Sequence, residues 1–272
     1  MPYTSLALII MGRKGYTMKH TTKTLDEFFK KHLNVNAAQF ADDGINGLQV
    51  DNDGSEIKKI AFAVDASMDT FVAARDMGAD ALFVHHGMFW GKVSPVMGIM
   101  RDRIKFLLDN NIALFGFHLP LDMHQTLGNN AELARLLGLT NIEPFGVYNG
   151  LTLSFKGTLP TPLTINEIAD KIKFKDCTAK EIWQFGPDKN TTVAIMSGGG
   201  AYNAMDAIKE GVDVFISGEV NHWNRFTCKD AGLNIIGGGH YLTEVWGPLK
   251  MMEITKNELN LETEFIYMPT GM

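Results

Sequence analysis

Two adjacent histidines, His85 and His86, end a short apolar run that begins at Ala81. Imidazole side chains bind metals and carry protons near neutral pH. Four apolar residues followed by this pair and Gly87 predict a buried strand that delivers both histidines to a sheet edge, where open α/β sheets bind ligands. Because strand side chains alternate, the two imidazoles fit two neighbouring metals, one each, better than a single metal.

Two later apolar segments end in a histidine that an acid follows four residues on. These pairs are His118 with Asp122 and His240 with Glu244. On a helical turn this spacing places both side chains on one face, where they can share a cation. Half of the eight histidines in the chain therefore come directly after strand-like segments. Chance explains this placement poorly, and the pattern predicts a metal site.

The ligand types narrow the chemistry without choosing one metal. Imidazoles and carboxylates without thiolates suit zinc, iron, manganese or nickel. Few protein ligands per ion leave positions open for water, as in catalytic sites. Two such ions can activate water and polarise a carbonyl, imine or phosphoryl oxygen. The general acid is not evident, and Asp65 and Glu219, which also end apolar segments, are the only candidates beyond the ligands.

The composition excludes several classes of protein. A hydrophobic fraction of 45% over 272 residues can fill a sizeable core. The formal charge of −6 argues against a binder of phosphate backbones, and we expect no sequence-specific nucleic-acid binding. Cys177 and Cys228 lack CxxC spacing, which excludes a thiolate zinc site and suits a reducing cytoplasm. No apolar run approaches the ~20 residues that span a bilayer, so we expect no membrane partner.

Strand-like and helical segments alternate along most of the chain. We expect Met18 to be the true start and residues 1–17 to form an N-terminal extension. Period-2 alternation at 151–155 and 181–185 predicts antiparallel edge strands of a second lobe. Helical patterns occur at 21–33, 68–77, 99–110, 129–137 and 165–172. Thr21 and Ser67 are the expected caps of the first two helices.

A short internal repeat relates the two halves of the chain. Gly78 aligns with Gly211 and Asp80 with Asp213 at one offset, since 211 − 78 = 213 − 80 = 133. The fold class predicted is therefore α/β, with two related α/β lobes facing a shared metal-binding cleft. We assign 18–125 plus 239–272 to the first lobe and 126–238 to the second.

A glycine-rich turn, Ser197-Gly198-Gly199-Gly200, follows the strand-like segment 192–196. Backbone N–H groups of such a turn can cradle phosphate. The Walker lysine and the full GxGxxG pattern are both missing, which favours a tight strand-to-helix turn over a nucleotide site.

The ordered set of these motifs resembles the NIF-three-like family of dinuclear-metal proteins, whose members are often named homologues of GTP cyclohydrolase I type II. The resemblance spans roughly residues 18 to 272 and depends on five motifs in the order His85-His86-Gly87, His118-x-x-x-Asp122, Gly128-Asn129-Asn130-Ala131-Glu132-Leu133-Ala134, Ser217-Gly218-Glu219 and Gly239-His240-x-x-Thr243-Glu244. One departure is His222-Trp223, where many relatives have a histidine pair.

The resemblance implies a toroidal homohexamer with two divalent metal ions per subunit. It implies that His86 and Asp122 hold one metal, that His85 and His240 hold the other, and that Glu244 bridges them. His118 would be an additional ligand or a residue that contacts a ligand. The metal residues expected are thus His85, His86, Asp122, His240, Glu244 and His118.

Two functions follow from such a site. The first is metal-dependent hydrolysis of a small nucleotide or heterocyclic substrate, like that of GTP cyclohydrolase I type II. The second is a non-catalytic metal-binding hexamer that stores or senses metal or acts as an interaction scaffold. Because ligand histidines must be neutral, metal affinity is expected to fall below about pH 6.5.

Overall fold

The computed structural model describes residues 19–37, 41–92 and 94–272. The expected extension at residues 1–17 and the expected start at Met18 lie outside this part of the chain. The described helices are α1 (Thr22–Leu33), α2 (Met68–Asp76), α3 (Gly98–Asp109), α4 (Leu119–Met123), α5 (Asn129–Leu137), α6 (Ile165–Lys171), α7 (Ala204–Glu210), α8 (Arg225–Ala231), α9 (His240–Glu244) and α10 (Trp246–Leu259). Short 3-10 helices cover Val35–Ala37, Gly200–Asn203 and His222–Asn224.

The strands form two separate sheets. They are β1 (Gly47–Val50), β2 (Lys59–Asp65), β3 (Ala81–His86), β4 (Ala113–Gly116), β5 (Thr140–Tyr148), β6 (Leu151–Leu163), β7 (Glu181–Trp183), β8 (Asn190–Met196), β9 (Val214–Ser217), β10 (Asn234–Gly237) and β11 (Glu262–Phe265). The first sheet has the order β1-β4-β3-β2-β11 and the second β5-β6-β8-β9-β10-β7. The first sheet is parallel except for the antiparallel pairing of β1 with β4 at one edge. The second sheet is parallel across β8, β9 and β10 and antiparallel at both margins.

The predicted α/β class with two related lobes is confirmed. Apolar clusters cover both faces of each sheet, as expected when helices cover a parallel sheet. The lobe boundaries at 125/126 and 238/239 stay a prediction. Among the described residues, no helix is long and apolar enough to cross a bilayer.

The repeat extends further than the sequence indicated. Asp80 Oδ2 accepts hydrogen bonds from the amides of Lys58 and Lys59 at 2.7 and 3.0 Å. Asp213 Oδ2 accepts hydrogen bonds from the amides of residues 191 and 192 at 2.7 and 2.9 Å. These amides are related by the same offset, since 191 − 58 = 192 − 59 = 133. Each aspartate thereby ties the start of one parallel strand to the next strand in its sheet.

Several local expectations are met and one is wrong. Thr21 and Ser67 cap α1 and α2 by accepting a hydrogen bond from the third amide of each helix. β7 lies at an edge of the second sheet, as expected. β6 is not an edge strand, because β5 pairs with it on one side and β8 on the other. Its alternating pattern reports which face is buried, not how many neighbours pair with the strand.

Candidate metal centre

The candidate ligands come from the carboxyl ends of strands and the short helices that follow them. β3 ends at His86, α4 follows β4, and α9 follows β10. Gly239 has φ of +98°, in a region that favours glycine, and its bend directs β10 into α9, which begins at His240. The i, i+4 spacing in α9 then brings His240 Nε2 to 3.1 Å from Glu244 Oε2.

The first ligand set consists of His85, Asp122 and Glu244, all buried. His85 Nε2 lies 3.4 Å from Asp122 Oδ2 and 3.6 Å from Glu244 Oε1. Asp122 Oδ1 accepts hydrogen bonds from Asn129 Nδ2 at 2.9 Å and from Ser197 Oγ at 3.1 Å. These two donors hold the carboxylate so that its other oxygen faces His85.

The second ligand set consists of His86, His240 and Glu244. Nε2 of each histidine lies 3.1 Å from Glu244 Oε2. The outer nitrogens contact carboxylates, with His86 Nδ1 2.8 Å from Asp65 Oδ1 and His240 Nδ1 2.7 Å from Glu219 Oε1. A carboxylate behind a histidine fixes its tautomer and raises its basicity as a ligand. Asp65 and Glu219, the candidates for a general acid, therefore each contact and orient a candidate ligand histidine.

His118 belongs to the cluster but not with Asp122. Its nitrogen lies within 4.8 Å of nitrogens of both His85 and His86. The expectation that His118 and Asp122 share a cation from one helix face is not met, because His118 precedes α4 as its N-cap with ψ of −107°. Its Nδ1 instead lies 2.8 Å from Asp42 Oδ1.

All four histidines present the same nitrogen to the centre. His85 Nδ1 lies 3.0 Å from the carbonyl oxygen of Phe117, and the other three Nδ1 atoms face carboxylates. An acceptor at Nδ1 favours the tautomer that carries its proton there and leaves the Nε2 lone pair free. Four imidazoles in that state can donate to metal ions.

Two buried atoms at the centre lack partners among the described residues. They are His85 Nε2 and Glu244 Oε2. The imidazoles of His86 and His240 approach Glu244 Oε2, but neither contact has hydrogen-bond geometry. An unsatisfied polar atom in a protein interior is costly. A metal ion would satisfy both atoms, so the residues present fit such a ligand.

Neighbouring charges shift the pKa values of the histidines and of Glu244 in this cluster. Burial alone would lower the pKa of His86, but Glu244 and Asp65 raise it to about 10. Burial likewise opposes the charge on His240, yet Glu244 and Glu219 raise the pKa to about 9. Burial would raise the pKa of Glu244, and the imidazoles of His86 and His85 hold it well below its usual value. Without metal, protons therefore occupy the nitrogens that face the carboxylates.

The candidate ligands that lie together differ from the pairs that the resemblance implied. His85 lies with Asp122, and His86 lies with His240, the reverse of the expected assignment. The cause is the alternation of side chains along β3. His85 turns to the fully buried side, where α4 lies, while His86 turns to α9 and the cavity. Glu244 remains common to both sets, as expected.

The glycine-rich turn after β8 makes room for Glu244. Gly198 has φ of +59°, and a Cβ atom there would overlap Glu244 Oε1. Its amide donates to Thr243 Oγ1 at 3.0 Å, which fixes the turn against α9. The prediction of a tight strand-to-helix turn is therefore correct, and the turn also shapes the metal centre.

The contacts that several polar residues make to the candidate ligands were not predicted from the sequence. Asp42, Asn129, Asn130 and Ser197 carry no ligand pattern of their own. The signal that could have found the asparagines is the pair of adjacent amides at the start of a predicted helix, within the Gly128–Ala134 motif of the resemblance, since a buried amide needs a specific partner. His222, by contrast, is exposed beside Phe226 and belongs to none of the ligand sets.

A cavity of about 720 Å³ opens on the cluster. Ligand sites typically enclose about 300–1,000 Å³. Its walls include His86, His118, Asp122, His240 and Glu244 and, further out, several aromatic and apolar side chains. Five of the six candidate ligands therefore line a space that a small molecule can enter, while His85 is fully buried behind them.

The fold and this cluster define a class: a two-sheet α/β protein whose imidazoles and carboxylates converge at the floor of a cavity. Residues 20–270 match the family model described as Duf34/NIF3 (NGG1p interacting factor 3). The chain belongs to this NIF3 family, which confirms the resemblance.

Proteins similar to this chain cover nearly its whole length. A GTP cyclohydrolase 1 type 2 homolog of Archaeoglobus fulgidus is 38% identical over 255 residues, which are 94% of this chain and 99% of that protein. The protein of the same name from Escherichia coli K12 is 39% identical over 259 residues, or 93% and 99% of the two chains. The crystal structure of TTHA1606 from Thermus thermophilus shares 32% identity and a TM-score of 0.83, and the match covers 93% of this chain and all of that one.

Proposed function

We propose that this protein is a metal-dependent hydrolase that binds two divalent metal ions per chain and acts on a small nucleotide or heterocyclic substrate. The observation that carries the proposal is the convergence of four Nε2 atoms with the carboxylates of Asp122 and Glu244 at the floor of a cavity. The name of the relatives, GTP cyclohydrolase 1 type 2 homolog, supports a nucleotide-related substrate.

The residues that would hold the ions are the six expected from the sequence. His85 and Asp122 would bind one ion and His86 and His240 the other, with Glu244 between them and His118 as a further ligand. The chemistry that such ions supply is Lewis acidity and the activation of water. The chain itself orients the ligands through the acceptors at each Nδ1 and leaves one side of the cluster open to the cavity.

Removal of metal should abolish turnover, and its return should restore it. We expect His240→Ala to lower hydrolysis at least about 100-fold, because a ligand and its hydrogen-bonded carboxylate are uncoupled from the centre. The measurement is hydrolysis of GTP and of pterin-like compounds by chelated and reloaded protein. His222→Ala, an exposed histidine of the same chain, is the matched control and should retain full activity. Turnover that survives chelation contradicts the proposal, whereas metal binding without any turnover favours a storage, sensing or scaffold function.

The two ligand sets should prefer different metal ions. The set around His85 offers one nitrogen and two carboxylates, and the set around His86 offers two nitrogens and one carboxylate. Nitrogen ligands suit zinc, and carboxylates suit manganese. After one equivalent of Zn²⁺ and then one of Mn²⁺, we expect the electron paramagnetic resonance spectrum of isolated Mn²⁺. The spectrum of coupled manganese pairs would show instead that the sets do not discriminate.

We also propose that the protein assembles as a homohexamer in the cytoplasm. Val96, Met97 and Ile99 are neighbouring apolar side chains that are more than half exposed, and such a cluster favours a protein contact. Cys177 and Cys228 are buried free thiols, which suits a reducing compartment.

A further inference from the structure

The cavity continues beyond the candidate ligands into a region with aromatic walls. Trp90, Tyr148 and Tyr202 line it and keep 42%, 46% and 72% of their surface exposed. They come from three separate segments: the connection after β3, the end of β5 and the 3-10 helix Gly200–Asn203. We call this region the aromatic subsite.

Exposed aromatic rings around one cavity indicate the shape of a ligand. The side chains of Val147 and Met196 extend the apolar wall between Tyr148 and the glycine-rich turn. Aromatic faces prefer a flat partner that stacks on them, and their exposure to water alone is unfavourable. A planar ring system therefore suits these walls better than a flexible chain or a sugar.

A single carboxylate supplies the polar end of the aromatic subsite. Asp206 lines the cavity, and its Oδ2 accepts a hydrogen bond from Asn203 Nδ2 at 2.9 Å. Asn203 is 8% exposed, so this contact fixes the carboxylate from the protein side. Among the described residues, Asp206 forms no ion pair with a lysine, arginine or histidine, and the hydrogen bond from Asn203 reaches its Oδ2 and not its Oδ1.

The chemistry of Asp206 restricts the ligand further. An ionised carboxylate only accepts hydrogen bonds, and its two oxygens match two parallel N–H donors. Asp206 belongs to none of the metal ligand sets found among the described residues. A ligand with adjacent ring N–H and exocyclic amine groups complements both the carboxylate and the flat walls.

We propose that the aromatic subsite binds a planar nitrogen heterocycle whose ring N–H and neighbouring amine donate to Asp206. The inference rests on the proposed hydrolase function for the claim that this molecule is the substrate, because the metal centre lies in the same cavity. Asp206 then selects among heterocycles, while Trp90, Tyr148 and Tyr202 bind their faces without regard to substituents.

Guanosine and inosine test this assignment, because they differ only in the exocyclic amine. Calorimetric titrations use chelated and metal-loaded full-length protein. We expect guanosine to bind about tenfold more tightly than inosine in both forms, since a charged acceptor without its donor loses a strong hydrogen bond. In Asp206→Asn that preference should disappear. Asp230→Asn, the same change at an exposed position outside the cavity, should keep it.

A second pair of variants tests the walls. Tyr202→Ala should weaken both nucleosides about fivefold, because ring stacking does not depend on the amine. Phe226→Ala removes a ring that is 63% exposed and lies outside the cavity, and it should change neither affinity. Thermal unfolding of each variant shows that it folds. Equal affinities of guanosine and inosine, absent binding of both, or Asp206→Asn behaving like Asp230→Asn would overturn the proposal.

The two claims fail separately. Guanosine could bind in a way that depends on Asp206 while the metal-loaded protein hydrolyses nothing. That result would support the aromatic subsite and refute the proposed hydrolase function. Asp206→Asn could instead leave metal-dependent hydrolysis unchanged for substrates with and without the amine. That result would support the hydrolase function and overturn the proposed role of the aromatic subsite.

Discussion

Glu244→Ala should empty both ligand sets at once. Glu244 is the one residue common to the sets around His85 and His86, so its loss removes a ligand from each ion. Replacing a residue that only contacts a ligand typically costs about 10–100-fold in metal affinity, and loss of a shared ligand should cost at least about 100-fold. The measurement is elemental analysis with chelator competition on wild type and variant.

The same substitution should also destabilise the chelated protein. Glu244 is buried and carries negative charge beside imidazoles with raised pKa values. Its removal leaves those charges without compensation, which typically costs about 3–5 kcal/mol in free energy of unfolding. Glu27→Ala, at an exposed position of α1, is the control and should change neither quantity. A Glu244→Ala protein that still binds two ions would contradict the shared role of this carboxylate.

Metal binding should release protons at pH 8 and tighten as the pH rises. The raised pKa values of about 10 for His86 and about 9 for His240 mean that both imidazoles are protonated at pH 8 without metal. Because the metal needs both as neutral ligands, affinity should rise by up to about 100-fold per pH unit until the pH passes 9. From the sequence alone, metal affinity was expected to fall only below about pH 6.5. That expectation used the ordinary pKa of histidine, because the carboxylates that contact these histidines could not be identified from the sequence.

Folding of the chelated protein should respond to pH with the opposite sign. A folded-state pKa above the unfolded value of about 6.5 adds stability that is complete below pH 6.5 and is lost as the pH rises through 9 to 10.

Titration calorimetry in buffers of different ionisation enthalpy counts the protons that metal binding releases. Wild type and His222→Ala should release at least about two per pair of metals at pH 8, from His86 and His240, and His240→Ala should release about one fewer. A flat affinity without proton release between pH 7 and 9 would refute the charge state described for the cluster.

The sequence predicted the candidate ligands because of how parallel sheets are built. The carboxyl ends of neighbouring parallel strands meet at one edge of a sheet, so His86 at the end of β3 and His118 after β4 are expected to converge. His240 follows β10 of the other sheet, and its imidazole reaches His86 because the edges of the two sheets face one cleft. The hydrogen-bond acceptors at the Nδ1 atoms of these histidines could not be predicted from the sequence. Whether Asp65 contacts His86, or Asp42 contacts His118, depends on side-chain directions across different elements, and sequence spacing carries no such information.

The errors have the same physical origin. The spacing of His118 and Asp122 matched a helical pair, but the helix begins one residue after His118 and its imidazole turns to Asp42. The alternation in β6 reported its buried face and did not show that β5 would cover its edge. The repeat was correct, because Asp80 and Asp213 perform one structural task in both lobes.

Anomalous X-ray scattering from crystals of the zinc-loaded protein tests the central claim most directly. Two peaks per chain are predicted, one bound by His85 and Asp122 and the other by His86 and His240, with Glu244 contacting both. A single peak, or peaks at other residues while this cluster stays empty, would contradict the dinuclear centre and the function built on it.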